Sequence, residues 1–218
     1  MIEAERIFEA REALAETLAR DVADELERAI EAKGKATLAV SGGTTPKLFF
    51  EKLSATGIPW SRVSVTLIDE RQVPETSERS NARLVRRHLL QNKAAAATFI
   101  PLLDNPQAEK SVPFDVAILG MGSDGHTASF FPGGDRLKDA LDDSAGTRLI
   151  AITAPGAGEP RLTFNLPAIA QAGRLALHIE GEEKRKVLQK ALSDGPAEEM
   201  PVRALLRSAA PLTLYWAP

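Results

Sequence analysis

The stretch DVAILGMGSDGHTASFFPG, residues 115–133, carries the strongest structural signal in this chain. Its apolar run Val116–Leu119 stops at Gly120, which is the first of three glycines within six residues. An acid, Asp124, and an imidazole, His126, lie among and directly after these glycines. A short buried strand that runs into a glycine-rich loop is typical of ligand-binding sites in α/β proteins. The stretch therefore predicts an α/β fold with a site in this loop.

Composition narrows the class of protein. The chain has 218 residues, 44% of them hydrophobic, a formal net charge of −3 and no cysteine. The length and apolar content predict a single α/β domain over residues 1–218. The charge excludes a basic field for nucleic acid, and the lack of cysteine excludes disulfides and thiolate chemistry. With neither a membrane-length apolar run nor a signal-peptide pattern, we expect a cytoplasmic protein, as a monomer or small homo-oligomer.

Strands alternate with helices along the chain, which predicts a mostly parallel sheet covered on both faces. Apolar periodicity predicts a long first helix over residues 4–33, and a cap at Ser80 predicts a second helix there. The predicted strands lie at 36–40, 63–68, 98–100, 114–119, 148–153, 174–179 and 212–216. Further helices are predicted after Pro46 and over 163–172, 181–192 and 197–206.

The strand at 36–40 leads into a possible anion site. It is followed by small residues and by a helix that begins at Pro46, with Thr44 or Thr45 as the expected N-cap. The small residues are Ser41, Gly42, Gly43 and Thr44. Backbone N–H groups of such a turn and of a helix N-terminus bind anions, of which phosphate is the commonest.

Two further strand ends carry chemically active side chains. Asp69 and Arg71 follow the strand at 63–68, and Asp124 and His126 follow the strand at 114–119. Parallel strands bring all these ends to one edge of the sheet. An imidazole beside an acid is suited to general base work near neutral pH. The pattern predicts proton-transfer chemistry on a small phosphorylated metabolite. The other histidines, His88 and His178, fit helix packing and strand structure.

Other classes of site fit less well. Gly120-x-Gly122-x-x-Gly125 matches the dinucleotide fingerprint, but it lies in mid-chain, and no strand ending in an acid arrives about 20 residues on. The residues around Ser41 resemble a nucleophile elbow, but in such an elbow the helix begins directly after the serine, and here it is predicted to begin only at Pro46. The loop offers only one histidine, and the chain has neither cysteine nor an HExxH spacing. This makes a poor metal site, so no metal is expected.

The glycine-rich motif GMGSDGHTASFFPG, residues 120–133, resembles the signature of 6-phosphogluconolactonases. Blocks that resemble other parts of that family occur in the same order and cover most of the chain. They are SGGTTP at 41–46, DER at 69–71, SN at 80–81, RLT at 161–163 and GEEK at 181–184. The resemblance implies a three-layer α/β/α sandwich with a Rossmann-like sheet, a fold shared with glucosamine-6-phosphate deaminases.

The resemblance also implies a reaction, the hydrolysis of 6-phospho-D-glucono-1,5-lactone without a metal or organic cofactor. His126 is then the general base, Asp124 its orienting acid, and Asp69 a partner of the sugar hydroxyls or the water. Loop N–H groups near Gly122–Gly125 are candidate oxyanion donors. The implied phosphate and substrate ligands are Ser41, Gly42, Gly43, Thr44, Arg71, Arg161 and Lys184.

Phe131 bears on the choice within this group of enzymes. The sister deaminases carry a glutamate immediately before the Pro-Gly of the motif, and this chain has Phe131 there. A phenyl ring cannot relay a proton, so this position favours the lactonase. A deaminase-like isomerase and a non-catalytic sugar-phosphate-binding regulator remain the alternatives.

Overall fold

The computed structural model describes residues 2–142 and 146–218. The single-domain prediction for 1–218 also covers Met1 and residues 143–145, which lie outside the described residues. The strands are β1 (Ile2–Ile7), β2 (Ala36–Val40), β3 (Val63–Leu67), β4 (Asp69–Arg71), β5 (Thr98–Ile100), β6 (Val116–Leu119), β7 (Leu149–Ile152), β8 (Arg161–Phe164), β9 (Arg174–Glu180) and β10 (Leu212–Ala217).

Seven of these strands form one central sheet in the order β1-β10-β9-β6-β2-β3-β5. All neighbouring strands in this sheet run parallel. β6 is buried along its whole length, as expected for a central strand covered on both faces. The predicted α/β fold with a parallel sheet is confirmed.

Helices flank the sheet. They are α1 (Arg11–Lys33), α2 (Lys47–Ser54), α3 (Asn81–His88), α4 (Leu137–Leu141), α5 (Leu166–Ile169), α6 (Glu182–Leu192) and α7 (Val202–Arg207). α1 packs against α2 and against β2, while α6 packs against β9 and α7. Leu14, Leu18, Val22 and Leu26 recur every four residues of α1 and are buried, which fixes the face that it turns to the core.

The N-terminal prediction is wrong at its start. Residues 4–7 were expected to be helical, but Ile2–Ile7 is an edge strand that pairs in parallel with β10, and α1 begins only at Arg11. The segment is rich in helix formers such as Ala and Glu. Pairing with an apolar neighbouring strand overrides that local preference.

A second, three-stranded antiparallel sheet has the order β4-β8-β7. It corrects two predictions. The strand predicted at 148–153 exists as β7 but does not join the parallel sheet, and the predicted helix 163–172 is largely absent. Residues 161–164 form β8 instead. Within the predicted helix only Leu166–Ile169 is helical, and this short helix begins after Asn165, whose side-chain oxygen accepts a hydrogen bond from Ala168 N.

The central sheet positions the site. β9, β6, β2 and β3 are consecutive neighbours and parallel, so their carboxyl ends lie side by side at one edge. The loops that follow these four strands carry most of the predicted site residues. β4 continues directly from β3 and turns out of the parallel sheet to pair with β8, which brings a second pair of strands over the same edge.

Candidate active site

A cavity of about 350 Å³ opens at the carboxyl edge of the sheet. It contains nearly all of the predicted site residues. Those that line it are Ser41, Gly42, Gly43, Thr44, Asp69, Arg71, His126, Arg161 and Lys184. Asp124 is the one predicted residue that does not line the cavity, and it contacts His126 from behind. The structure therefore brings together residues that are up to 143 positions apart in the chain, from Ser41 to Lys184.

The Asp124 carboxylate and the His126 ring form a close pair, with Oδ1 2.6 Å from Nδ1. The same Oδ1 accepts a hydrogen bond from the His126 backbone N–H at 3.1 Å. Burial raises the pKa of Asp124, but the hydrogen bond and charge of the His126 ring, together with backbone hydrogen bonds, lower it to about 2. An ionised carboxylate only accepts hydrogen bonds, so the His126 proton belongs on Nδ1. Nε2 is then the ring nitrogen that can take a proton from a substrate or a water.

Two glycines allow this pair to form. A Cβ at Gly122 would overlap the His126 ring and would lie 2.5 Å from Asp124 Oδ1. Gly125 has φ +79°, a conformation that side chains rarely adopt, and its carbonyl accepts a hydrogen bond from Val202 N. The loop is thereby held to α7 on one side and closed over the Asp–His pair on the other.

Two of the expected oxyanion donors, the N–H groups of Gly122 and Gly125, are already used within the loop. The N–H of Gly122 donates to the His126 carbonyl at 2.8 Å, and the N–H of Gly125 donates to the Gly122 carbonyl at 3.2 Å. These two groups close the turn that supports His126, so they are not free to bind an oxyanion. A sequence pattern cannot show this, because a glycine-rich loop satisfies its own backbone in ways that depend on its dihedral angles.

Asp69 is buried at the start of β4, and its Oδ2 accepts a hydrogen bond from Ser129 Oγ at 2.6 Å. The contact ties the end of β3 to the loop that carries His126. Asp69 also lines the cavity. The predicted role toward substrate hydroxyls stays a prediction, and the contact with Ser129 fixes the carboxylate in place.

Arg71 and Arg161 face each other across the second sheet. They are directly opposite partners in the antiparallel pairing of β4 with β8. Like charges at opposite positions destabilise a sheet unless an anion lies between them. Burial and the neighbouring Arg71 both lower the pKa of Arg161, as expected for a buried cation close to a second cation. Because the sequence predicted a helix over 163–172 and no strand at 161–164, it did not indicate that Arg71 and Arg161 pair.

Two polar atoms at the cavity wall have no hydrogen-bond partner among the described residues, Ser41 Oγ and Arg71 Nε. Both are buried, and buried donors are normally satisfied. An anion bound in the cavity would satisfy both. Ser41 also lacks the hydrogen bond to a histidine that an activated nucleophile needs, which argues against a covalent serine mechanism.

The predicted side-chain cap at Thr44 or Thr45 is wrong. α2 begins after Pro46, and no side chain caps its first N–H groups. Gly43 has φ +101°, and Thr44, Thr45 and Pro46 all line the cavity. Uncapped N–H groups at the cavity wall are compatible with the predicted anion cradle.

Lys184 lies in the first turn of α6, and its pKa is lowered by burial, against the opposing effects of Glu183 and Asp124. It adds a cation to the cavity lining from the helix that follows β9.

Sequence reasoning missed three features of the site. Glu70 is buried and accepts hydrogen bonds from three groups at the start of α3, Ser80 Oγ, Asn81 N and Ala82 N, and from Arg71 N in β4. Phe131 packs on the His126 ring and also lies under the Arg161 guanidinium, whose central carbon is 5.3 Å from the centroid of the Phe131 ring. Asn81 accepts from Arg71 Nη1 at 2.6 Å and sits so close to Gly42 that no side chain fits there.

The two remaining histidines have different positions. His88 lies outside this cavity and contacts Glu51 at 3.0 Å, consistent with the predicted packing role. His178 is buried, and its Nε2 lies 3.2 Å from Glu180 Oε1, so it is structurally satisfied as predicted. It nevertheless lines the cavity floor, which the sequence did not indicate.

No group of three or more side chains that could hold a metal occurs in residues 2–142 and 146–218. Within those same ranges, no helix is long and apolar enough to cross a membrane.

Comparison with known proteins decides the family. The family described as glucosamine-6-phosphate isomerases/6-phosphogluconolactonase matches residues 9–216. The chain belongs to this family. A 6-phosphogluconolactonase of Rhizobium meliloti (strain 1021) is 52% identical, and the match covers 97% of each chain. The family predicted from the motifs is confirmed.

Solved structures of this family agree with the fold. A 6-phosphogluconolactonase from Shewanella baltica is 39% identical, with a TM-score of 0.93 over the whole of both chains. A monomeric glucosamine-6-phosphate deaminase shares the fold with a TM-score of 0.74 at 19% identity, covering 98% of this chain and 97% of its own. The three-layer fold that the resemblance implied is therefore the family's fold.

Proposed function

We propose that this chain hydrolyses 6-phospho-D-glucono-1,5-lactone to 6-phosphogluconate in the oxidative pentose phosphate pathway. The observation that carries the proposal is one cavity lined both by His126, which is paired with Asp124, and by the cations Arg71 and Arg161. A sugar phosphate has a matching polarity, with an anion at one end and a reactive carbonyl at the other. Membership of the family and the names of its similar relatives support the same reaction.

The phosphate end of the substrate binds where unpaired donors meet. Ser41 Oγ and Arg71 Nε are buried there and have no hydrogen-bond partner among the described residues, and Arg161 adds a second guanidinium. Guanidinium groups suit phosphate because their fixed donors match its oxygens. The N–H groups of Gly42, Gly43 and Thr44 complete this end, and Lys184 supplies a compact charge from α6. Held there, the substrate presents its carbonyl carbon, C1, to the other end of the cavity.

At that end, His126 Nε2 takes a proton from a water molecule as the water oxygen attacks C1. The bond between C1 and the ring oxygen then breaks, and the ring oxygen receives the proton from the imidazolium. Water is thus consumed, and the ring opens to the acid. Asp124 stays ionised throughout, because its pKa is about 2, and it stabilises the charged ring. Asp69 is the partner of substrate hydroxyls or of the water.

A site with one general base and no covalent nucleophile is sufficient for this reaction. A lactone of this kind also opens unaided in water, so one general base and good positioning supply the acceleration that is needed. We expect the reaction to proceed without a metal or organic cofactor, in the cytoplasm, by a monomer or small homo-oligomer.

Phe131 favours the lactonase over the deaminase within the family. Its buried ring occupies the position where the deaminases carry a proton-relaying glutamate, and it contacts His126 directly. Isomerisation and deamination need a further acid or base at that point, which a phenyl ring does not provide.

A coupled assay of lactone hydrolysis with the purified protein tests the proposal, with the spontaneous opening rate subtracted. We expect turnover well above that background and no release of ammonia from glucosamine 6-phosphate. Ammonia release would move the chain to the deaminase branch. Tight binding of 6-phosphogluconate with hydrolysis at only the background rate would instead indicate a regulator.

A further inference from the structure

A second cavity, of about 410 Å³, adjoins the first and shares Gly43, Thr44, Arg71 and Arg79 with it. We call it the basic groove. It adjoins the first cavity, which we call the lactone cavity, and is lined by residues of α3 together with Lys47 of α2. Its lining includes the cations Lys47, Arg83 and Arg87 in addition to the two shared arginines, and one acid, Glu78.

The groove is built by one face of α3. Ser80, Arg83, Leu84, Arg87 and His88 all line it, and their spacing of three and four residues puts them on a single stripe of the helix. Lys47, the first residue of α2, contributes from the neighbouring helix. Arg83 and Arg87 of α3, which the lactonase mechanism does not use, therefore line this groove.

The positive charges in the groove exceed their partners. Arg83 pairs with Glu78, and Arg79 pairs with Glu159 outside the groove. Lys47, Arg71 and Arg87 have no ion pair with a carboxylate in the part of the chain that the structure describes. Such a concentration of unpaired cations is notable in a chain whose net charge is −3. Clefts lined by one sign of charge concentrate ligands of the opposite sign.

The lining also restricts the chemistry of the ligand. No aromatic ring other than the His88 imidazole lines the groove, and Leu84 is its one large apolar side chain, so there is no platform for a nucleobase. Arg71 lines both cavities, and its buried Nε has no acceptor in residues 2–142 and 146–218. A small, highly charged group such as a phosphate fits these donors.

We propose that the basic groove is an outer phosphate site beside the lactone cavity. It binds either the phosphate group of the substrate as it approaches or a second small phosphate anion. The shared residues Thr44 and Arg71 connect it with the inner phosphate site, so the proposal adds to the proposed function and rests on it for the identity of the substrate.

Binding of inorganic pyrophosphate, measured by isothermal titration calorimetry, tests the groove independently of catalysis. The double variant Lys47→Glu/Arg87→Glu reverses two groove charges that the lactonase mechanism does not use. The matched control Lys35→Glu/Arg62→Glu makes the same change in net charge at two exposed residues, which precede β2 and β3 at the opposite edge of the sheet. Thermal unfolding of both variants checks that they are folded.

We expect the groove variant to bind pyrophosphate at least about tenfold more weakly than the control, because local charge dominates anion capture. Equal affinities in the two variants would overturn the proposal. If the charge reversals prevent folding, Lys47→Gln/Arg87→Gln against Lys35→Gln/Arg62→Gln gives the same comparison with a smaller difference.

Two further arms distinguish the sources of the phosphate. For the substrate's own phosphate, the groove variant lowers kcat/KM for the lactone at low ionic strength, leaves kcat unchanged, and approaches the control in concentrated salt. For a second anion, pyrophosphate still binds to protein saturated with 6-phosphogluconate. Protein that binds pyrophosphate through the groove but hydrolyses no lactone would refute the proposed function and leave the groove site standing.

Discussion

The Phe131 ring stacks on the imidazole of His126, with centroids 4.1 Å apart and 26° between the planes. Phe131 is buried, whereas His126 is partly exposed to the cavity. Asp124 holds the ring through Nδ1, and Phe131 supports its face, so two contacts of different kinds fix the direction of Nε2. Phe131, which we propose favours the lactonase reaction, thus also supports the His126 ring.

Replacing Phe131 with leucine should therefore misalign the base. We expect Phe131→Leu to lower kcat by up to about a hundredfold, because small displacements of a catalytic group are costly. Phe131→Tyr keeps the ring and should retain most of the activity. Steady-state kinetics with both variants gives the comparison, and equal kcat values for the two would show that the stacking does not position His126.

His126 itself carries the largest expected effect. His126→Ala should lower kcat by about 10²–10⁴-fold, the usual contribution of a general base. The affinity for 6-phosphogluconate, measured by calorimetry, should change little, because the proposed phosphate ligands, such as Arg71 and Arg161, do not include His126. Turnover equal to that of the unmodified protein would rule out the mechanism.

The sequence predicted the main sheet because its strands are short apolar runs, such as Val116–Leu119, whose length and flanking glycine favour a buried strand over a helix. β1 and β8 escaped prediction for the opposite reason. Glu3, Glu5 and Arg6 in β1 are exposed charged residues, and Arg161–Phe164 takes its strand form from pairing with β4 and β7. Partners far away in the chain determine both strands.

The same distinction applies to the site. Strand ends that meet at one edge follow from topology, so the sequence could place Asp69, Arg71 and His126 in one cavity. The register that sets Arg71 opposite Arg161 could not be read from the sequence, nor could the contact of Phe131 with His126. Both depend on side-chain geometry after the elements have packed.

Gly122 should be intolerant of even one added carbon. A Cβ there would overlap the His126 ring, so Gly122→Ala should displace the base and reduce kcat by about a hundredfold. Gly57→Ala is a suitable control, because the nearest atom to its Cβ would be Lys93 Nζ, at 3.7 Å. Both variants should show similar circular dichroism spectra. Full activity of Gly122→Ala would mean that the loop adapts without moving His126.

Asp124 should affect how the stability of the fold depends on pH in acid. Its pKa of about 2 lies below the ordinary 3.8, so the ionised group stabilises the fold at pH values above the ordinary pKa. That stability is lost as pH falls from about 4 to about 2. Asp124→Asn should therefore show a flatter dependence of unfolding on pH in this window, measured by denaturant titration. Parallel curves for the two proteins would contradict the assignment.

Glu70 is the residue that holds α3, and hence Arg71 and the basic groove, in place. Each of its carboxylate oxygens accepts two hydrogen bonds, Oε1 from Arg71 N and Asn81 N, and Oε2 from Ser80 Oγ and Ala82 N. Glu70→Gln would turn one acceptor into a donor that opposes these groups. We expect a loss of about 1–3 kcal/mol in the free energy of unfolding, the cost of unsatisfied buried donors.

The pH dependence of this variant provides a second measurement. Burial raises the pKa of Glu70 above 4.5 despite the four donors. The raised pKa makes the unmodified protein lose stability as pH rises through it, and Glu70→Gln should lack that contribution. Glu182→Gln is the matched control, an exposed acid in the first turn of α6, and should unfold like the unmodified protein. If Glu70→Gln also unfolds like the unmodified protein, α3 is anchored by its packing and not by this carboxylate.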